Sequence, residues 1–469
     1  MRRSVLVSVL LLFILISCNG THDKATSGTY IGGQIVNPVS NSIILRKDNR
    51  NIIDLPLSQN NRFFYKINDF KPGLYSFFHN ERQLVYLEEG DSIMLRVNTI
   101  EFDESLTFTG YGAAQNNFML SLYLLNEKEN ESMMTVYQQD PLLFQQTLDS
   151  LRDVRTEDWE NFKAKHEVSE GFQGVINAII DYDYYARKEV YPLSRFGSDK
   201  YAFLQSLPDD FYDYRDNVDF NWENLLSLYS YQRFLMNYFN QAAFKQYAGT
   251  EDYNSQSFTH NLHKLRLIDS TVSNDSIKSY LLTRTIKEYL ANSNDKKGGE
   301  EIFDLYMKHI PSNFNKKEIE KLYTSNQNVE AGKKMPDEIL INMKGEKVHL
   351  DKLITKPTFI FLWSKDKKNH SRQAHLMAQE LINKFPEYAY IAININIDTQ
   401  EWLRIAKLNG FNPKNEFKIN DNFEEIKDEL SINSIFKTFI VDKNGTIQNA
   451  HANMFSTDFE NELLGYLNK

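Results

Sequence analysis

The pattern of hydrophobic and polar positions divides most of the chain into three parts. Between residues 28 and 112, short runs of alternating apolar and polar positions are separated by turn residues, which predicts an antiparallel β-sandwich-like domain. Between 113 and 325, apolar residues recur at helical spacing, which predicts an α-helical middle. After a polar linker at 326–335, strand and helix patterns alternate from 336 to 469, which indicates an α/β domain. We therefore expect a multidomain protein.

The predicted elements of the first two parts follow from local signals. Pro72 and Gly73 suit the central positions of a type II turn, and strands recur about every ten residues. The many Tyr and Phe residues of the middle part are expected to face a helical core. The strands are predicted at 43–46, 52–55, 62–66, 74–78, 83–87 and 92–97, and the main helices at 118–125, 142–159, 175–185, 222–239 and 276–290.

The strongest pattern in the last part is a strand, a polar turn and a helix. Residues 358–363 are β-branched and aromatic and predict a buried strand. Nothing in 364–369 favours burial, and apolar residues then recur at helical spacing up to Phe385. Further strands are predicted at 388–398 and 434–442, with a closing helix at 455–467.

Charge and cysteine content exclude some classes of function. The formal net charge of -10 argues against nucleic-acid binding, which calls for a basic patch or stripe. The chain has one cysteine, Cys18. It therefore has no structural disulfide framework and no intramolecular dithiol chemistry.

The first residues carry a targeting pattern. Arg2 and Arg3 precede a short apolar stretch at 5–16, which is typical of a signal peptide. The sequence then ends Leu-Ile-Ser-Cys18, which resembles the lipobox of bacterial lipoproteins. The resemblance implies a lipoprotein signal peptide at 1–18, lipidation of Cys18 and a tether at 19–27. It also implies a lipid-anchored protein of the cell envelope, at the outer membrane and facing the periplasm.

The text around Trp363 resembles the active-site motif of TlpA-like thioredoxin-fold lipoproteins, which are related to AhpC/TSA-like redoxins. In that family the text runs Phe-Trp-Ala-x-Trp-Cys-x-x-Cys-Arg. Matching Trp363 to the first Trp places Lys367 and His370 where the two cysteines belong. The resemblance implies a C-terminal thioredoxin-like fold at 336–469 and, more weakly, the β-domain that often precedes it. Thiol–disulfide oxidoreductase activity would then apply by descent only.

A second departure from the family pattern lies before the third strand. The family carries a cis-proline in text like Pro-x-Thr-Phe-x-Ile-Asp-x-x-Gly, and this chain has Phe436 at the proline's place. A cis bond before a residue other than proline costs about 2.5–4 kcal/mol, so we expect a trans bond. No cysteine occurs in 19–469, so dithiol exchange and thiol peroxidase chemistry are excluded in any register.

Three roles remain open for the altered site. The first is binding or scaffolding with a protein or peptide partner. The second is a non-thiol enzyme that uses His370 or Lys367, with Lys368 and His375 nearby in sequence and Asp366 as the closest carboxylate. The third is an anion site at the start of the helix. The expectation is a pseudoenzyme that binds a partner.

We assign no catalytic residue, cofactor or metal ion from the sequence. His260 and His263 have the spacing of one helix face but lack a carboxylate or cysteine at ligand spacing.

Overall fold

The computed structural model describes residues 28–47, 52–197, 199–314, 316–396, 398–420 and 423–468. The expected signal peptide, Cys18 and the tether at 19–27 lie outside the described residues. No described helix is both long enough and apolar enough to cross a membrane. The chain forms two compact units. The first extends to Asn237, and the second comprises the chain from Tyr238 together with Asp199–Tyr201 and Asp219–Asn221.

Eight strands in the first unit form two four-stranded sheets that share one core. The orders are β4-β1-β7-β8 and β3-β2-β5-β6, and apolar side chains of both sheets belong to the same buried cluster. This is the predicted sandwich, with strands close to all six predicted positions. The strands are β1 (Tyr30–Val36), β2 (Ser42–Arg46), β3 (Ile52–Pro56), β4 (Arg62–Lys66), β5 (Gly73–His79), β6 (Glu81–Leu87), β7 (Ser92–Asn98) and β8 (Thr107–Tyr111).

The sandwich is not wholly antiparallel, which corrects the prediction. The missed strand β1 pairs parallel with β7, whereas the other described pairs in these sheets are antiparallel. The pattern missed β1 because Gly32 and Gly33 weaken a strand signal. The structure explains Gly33: a Cβ there would lie 2.3 Å from the Leu95 backbone oxygen, so the close approach of β7 requires glycine.

Helices complete the first unit. Asp140 and Ser169 cap two of them, accepting hydrogen bonds from the backbone N–H groups of Leu143 and Phe172. The helices are α1 (Phe102–Ser105), α2 (Ala113–Val136), α3 (Pro141–Lys163) and α4 (Glu170–Ser194), followed by 3-10 turns at Asp209–Asn217 and Glu223–Leu225. Helices α5 (Lys200–Gln205) and α6 (Tyr229–Tyr247) each contribute residues to both units. The region expected to be one helical domain, 113–325, is thus divided between the units.

The expected linker at 326–335 is not a free connection. The second unit contains α7 (Phe258–Thr271), α8 (Asp275–Asn292), α9 (Lys296–His309) and α10 (Lys317–Asn328), so the linker's first residues are helical. Val329 and Met335 are buried in the core beneath the following sheet. Asn326 donates its side-chain N–H to the Leu290 carbonyl at 2.6 Å. The polar residues at 326–335 predicted a linker, because a sequence pattern cannot show that polar side chains form hydrogen bonds within the fold.

A seven-stranded mixed sheet carries the last part of the chain, in the order β10-β9-β13-β12-β11-β14-β15. Strands β11 and β12 are parallel, and β14 and β15 are antiparallel to their neighbours. The elements are β9 (Ile339–Asn342), β10 (Lys347–His349), α11 (Leu350–Leu353), β11 (Thr358–Trp363), α12 (Lys368–Lys384), β12 (Ala389–Asn394), α13 (Thr399–Leu408), β13 (Glu416–Ile419), α14 (Phe423–Glu429), β14 (Thr438–Val441), β15 (Ile447–Ala452) and α15 (Phe459–Leu467).

This topology is that of a thioredoxin-like fold. The run β11–α12–β12 followed by β14, β15 and α15 gives the central order β12-β11-β14-β15. Every residue of β11 is buried. Ile360 and Leu362 enter one apolar cluster, whereas Phe359, Phe361 and Trp363 enter the cluster on the opposite face. The predicted strand, turn and helix are therefore confirmed at the centre of the sheet.

Candidate functional site

The turn between β11 and α12 is held by its own polar side chains. The Lys365 backbone N–H donates to Asn396 Oδ1 at 2.8 Å, and Asn396 Nδ2 donates to Asp366 Oδ2 at 3.1 Å. Helix α12 then begins after Lys367, which makes no side-chain capping bond. Lys367 and Lys368 are exposed. The turn thus presents two cations beside the first backbone N–H groups of the helix.

His370, in the first turn of α12, packs against two aromatic rings from other parts of the chain. Its ring centroid lies 4.9 Å from that of Phe436, edge to face, and 5.5 Å from that of Phe455. Phe436 remains 50% exposed. We call these three residues the aromatic face. The structure brings together His370, at the expected second cysteine position, and Phe436, at the expected cis-proline position. All described peptide bonds are trans, including the one before Phe436.

The environment of His370 does not activate it as a general base. Burial lowers its pKa, and the neighbouring His375 lowers it further. His370 Nδ1 is buried without a hydrogen-bond partner among the described residues. Asp366, the carboxylate considered in the sequence, contacts Ser364 and Asn396. Among the described residues, no acid therefore forms a hydrogen bond with His370 Nδ1.

His375 belongs to a buried pair that the sequence did not reveal. Its Nε2 lies 2.7 Å from Glu416 Oε1, and its Nδ1 lies 2.6 Å from the Ser371 carbonyl oxygen. A carbonyl can only accept, so Nδ1 donates and one proton lies between Nε2 and Glu416. Phe411 stacks on the imidazole with ring centroids 3.5 Å apart. The pair joins α12 to β13 under the site.

Glu416 is wholly buried on β13. Burial raises the pKa of its carboxyl, and contacts with His375, Trp363 and Trp402 oppose the rise. Trp363 Nε1 donates to Glu416 Oε2 at 3.2 Å, so the family-like tryptophan also helps hold the carboxyl. A four-residue strand containing both Glu and Lys carries no strand signal, and Glu416 escaped prediction for that reason.

Lys437, next to Phe436, is buried in the same loop. It is 4% exposed, and its Nζ donates to the Ser431 carbonyl at 2.6 Å. Burial lowers the pKa of Lys437 to about 7. On β15, burial and the nearby Lys437 lower the pKa of His451 to about 4, and its Nδ1 lies 3.0 Å from the Ala291 carbonyl oxygen. Lys437 is thus a buried basic group next to Phe436, and His451 is a half-buried one whose pKa Lys437 lowers.

Two groups of possible metal ligands are the His260–His263 pair in the helices and the exposed residues Asp337, His349 and Asp351. We assign a metal site to neither. His260 is buried, and its Nδ1 lies 3.0 Å from the Tyr247 hydroxyl, so it forms part of the packed helical core. Asp337, His349 and Asp351 place ligand atoms within 4.8 Å of one another, but all three are exposed. Asp337 already accepts from the Asp351 backbone N–H and contacts the His349 ring.

No protein-family model and no curated protein matches the chain. Solved structures match its last part. A candidate thiol-disulfide oxidoreductase from Bacteroides vulgatus is 20% identical with a TM-score of 0.27, over 29% of this chain and 97% of that chain. A thiol:disulfide interchange protein from Bacteroides sp. is 15% identical with a TM-score of 0.26, over 30% and 93%. The C-terminal domain of a candidate thiol-disulfide oxidoreductase from Bacteroides thetaiotaomicron is 22% identical with a TM-score of 0.25, over 30% and 95%. The names describe those proteins; the fold of this chain follows from its own strand order.

Proposed function

We propose that this protein is a lipid-anchored envelope protein whose thioredoxin-like domain binds a protein or peptide partner and performs no thiol chemistry. The observation that carries the proposal is the aromatic face. Where a dithiol and a cis-proline would meet, His370 packs against Phe436 and Phe455. Aromatic rings at the expected cysteine and cis-proline positions favour a contact surface over thiol chemistry.

The chemistry of dithiol exchange supports the first half of the proposal. Exchange needs a thiolate stabilised at the helix N-terminus and a second thiol to resolve the mixed disulfide. Residues 19–469 contain no cysteine. At the N-terminus of α12 the chain places Lys367 and Lys368, and cations there oppose the helix dipole. Together with the free helix N–H groups, these two cations would attract an anionic partner.

The composition of the site indicates the kind of partner. Aromatic side chains that remain partly exposed provide large contact area at low cost in side-chain entropy and are enriched among residues that dominate binding. Phe436 offers such a surface, and Lys367 and Lys368 add positive charge beside it. We therefore propose an extended segment with an apolar side chain next to carboxylates. The apolar group would pack on Phe436, and the carboxylates would steer the encounter.

A pull-down from envelope extract tests the proposal. The mature chain should retain a discrete partner, and Phe436→Asp should reduce its recovery at least tenfold because a carboxylate replaces the exposed ring. Leu464→Asp is the matched control, since Leu464 is also 50% exposed and lies on α15 outside the aromatic face. Equal recovery by both variants would place binding elsewhere. Recovery of nothing by the native chain would contradict the binding role.

Lipid anchoring rests on Cys18 and has its own test. Metabolic labelling with a fatty-acid analogue should mark the native protein and leave Cys18→Ser unlabelled. Attached acyl chains would hold the protein at a membrane, since two lipid anchors suffice for stable attachment. Equal labelling of both proteins would refute lipidation at this residue.

A further inference from the structure

A cleft in the first unit lies between the sandwich and its helices and is distinct from the aromatic face. Its space, including the open solvent at its mouth, is about 670 Å³. The walls come from β6, β8, α2, α3, α4 and the start of α6. Most are apolar, and they include Leu84, Phe108, Met119, Leu122, Ile179 and Leu228. The walls favour a ligand with an apolar body.

Four of the cleft's polar residues form its inner end. They are Asn126, Arg155, Asp183 and Ser230, of which Arg155 and Asp183 are 3% and 5% exposed. Asn126 Nδ2 donates to Asp183 Oδ1 at 2.5 Å. The Ser230 hydroxyl is buried and has no hydrogen-bond partner among the described residues. A buried polar group without a partner calls for one, whether an ion, a water or a ligand.

The charge at this end is unbalanced. Glu129 Oε2 accepts from Arg155 Nη2 and Arg187 Nη1, both at 2.7 Å. Asp183 lies 3.4 Å from Arg155, 3.1 Å from Arg187 and 3.6 Å from Arg233. Three guanidinium groups therefore share two carboxylates within this described cluster, which leaves one excess positive charge. A buried charge without a counter-charge is costly, so the cluster favours an anion.

Free donors accompany that charge. Arg187 Nη2 and Arg233 Nη2 are buried and lack hydrogen-bond partners among the described residues. Arg187 is 1% exposed. Arg233 follows Ser230 by three residues on α6 and so lies on the same face of the helix as that cleft residue. Guanidinium N–H groups in this arrangement suit a carboxylate, which accepts two parallel bonds.

The mouth of the cleft limits the ligand to one negative group. Tyr123, which is 37% exposed, lines it, and its hydroxyl lies 2.9 Å from Glu127 Oε1 and 3.3 Å from Asp103 Oδ2. Gln83 Nε2 donates to Asp103 Oδ1 at 2.9 Å. Two carboxylates near the opening repel a second anionic group, whereas the arginines attract the first at the inner end.

We propose that this cleft binds a small carboxylic acid with an apolar body, its carboxylate directed at Arg233 and Ser230. The apolar body would lie along Met119 and Ile179. Such a ligand supplies both missing features of the cleft, a counter-charge for the arginine cluster and acceptors for its unpartnered donors. The proposal does not depend on the function proposed for the aromatic face.

Titration calorimetry on the mature chain tests this with three probes of equal length: decanoate, decan-1-ol and decylamine. Decanoate should bind at one site, at least tenfold more tightly than the alcohol, and the amine should bind more weakly still. Absence of saturable decanoate binding would overturn the proposal. Equal affinity for acid and alcohol would also overturn it, because it would leave the arginine cluster without a role.

Variants locate the site. Arg233→Leu should weaken decanoate binding at least tenfold and leave decanol binding nearly unchanged. Arg152→Leu is the matched control, because Arg152 pairs with Asp181 and so stands apart from the cluster, whereas Arg233 lies 3.6 Å from the cleft residue Asp183. Met119→Trp should block the binding of both probes by filling the cleft. If Met119→Trp fails to fold, Ile179→Trp, at a less buried position, should have the same effect. Decanoate binding unaffected by Arg233→Leu or by the folded tryptophan variant would contradict the assignment.

Discussion

Lys437→Met should raise the free energy of unfolding at pH 7 by roughly 2 to 4 kcal/mol. The native structure buries Lys437 and satisfies its ammonium with one carbonyl, that of Ser431. Burial lowers the pKa of the side chain to about 7 from 10.5. Methionine has nearly the same shape and no charge to desolvate. Loss of the bond to Ser431 offsets part of the gain.

The sign of the pH dependence follows from the lowered pKa. Between about pH 7 and 10.5 the unfolded chain holds a proton on Lys437 that the native chain has released. The free energy of unfolding of the native protein should therefore rise with pH across that window. The rise should be absent in Lys437→Met, and the two proteins should converge near pH 10.5. Denaturant unfolding at several pH values measures this.

Lys443→Met is the control, because Lys443 is exposed in the neighbouring turn. It should match the native protein at every pH. Two results would contradict this account: a Lys437→Met protein that is less stable than the native protein at pH 7, or one whose free energy of unfolding still rises between pH 7 and 10.5. Either would show that burial of the ammonium does not destabilise the native protein.

The sequence predicted the centre of the last domain because β11 and α12 are long, strongly patterned and locally consistent. Strand β11 contributes to clusters on both faces of the sheet, so a continuous apolar run was the right signal. Strand β13 has no continuous apolar run and was therefore not predicted. Glu416 and Lys418 are buried there through polar contacts that a hydrophobic pattern cannot express.

The candidate site was predicted only in part, for the same physical reason. Matching the motif placed Lys367, His370 and Phe436, and the structure brings the last two into contact. His375 was seen as a possible member of a new active site, whereas its ring nitrogens contact Glu416 and the Ser371 carbonyl. Phe455 was not predicted to belong to the aromatic face, because loop contacts between distant residues leave no periodic signal in the sequence.

Restoring both thiols should give at most weak reductase activity. In Lys367→Cys/His370→Cys the new residues lie at the start of α12, where helix N–H groups can stabilise a thiolate. Their spacing of three positions allows a disulfide. Phe436 still lies beside position 370, half exposed, at the expected place of the family's cis-proline, where we propose that it obstructs a substrate backbone. Adding Phe436→Pro should therefore raise the activity of the double variant.

Insulin reduction by these proteins tests most directly the claim that the site has lost its thiols and been rebuilt as a binding face. The native mature chain should show no reduction at any pH, the double variant little, and the triple variant with Phe436→Pro clearly more. Activity of the double variant equal to that of an ordinary thioredoxin-fold reductase would contradict the account, since it would show a site intact except for its sulfurs. Failure of either variant to form the disulfide would equally contradict it, by showing that positions 367 and 370 are not the cysteine positions of the fold.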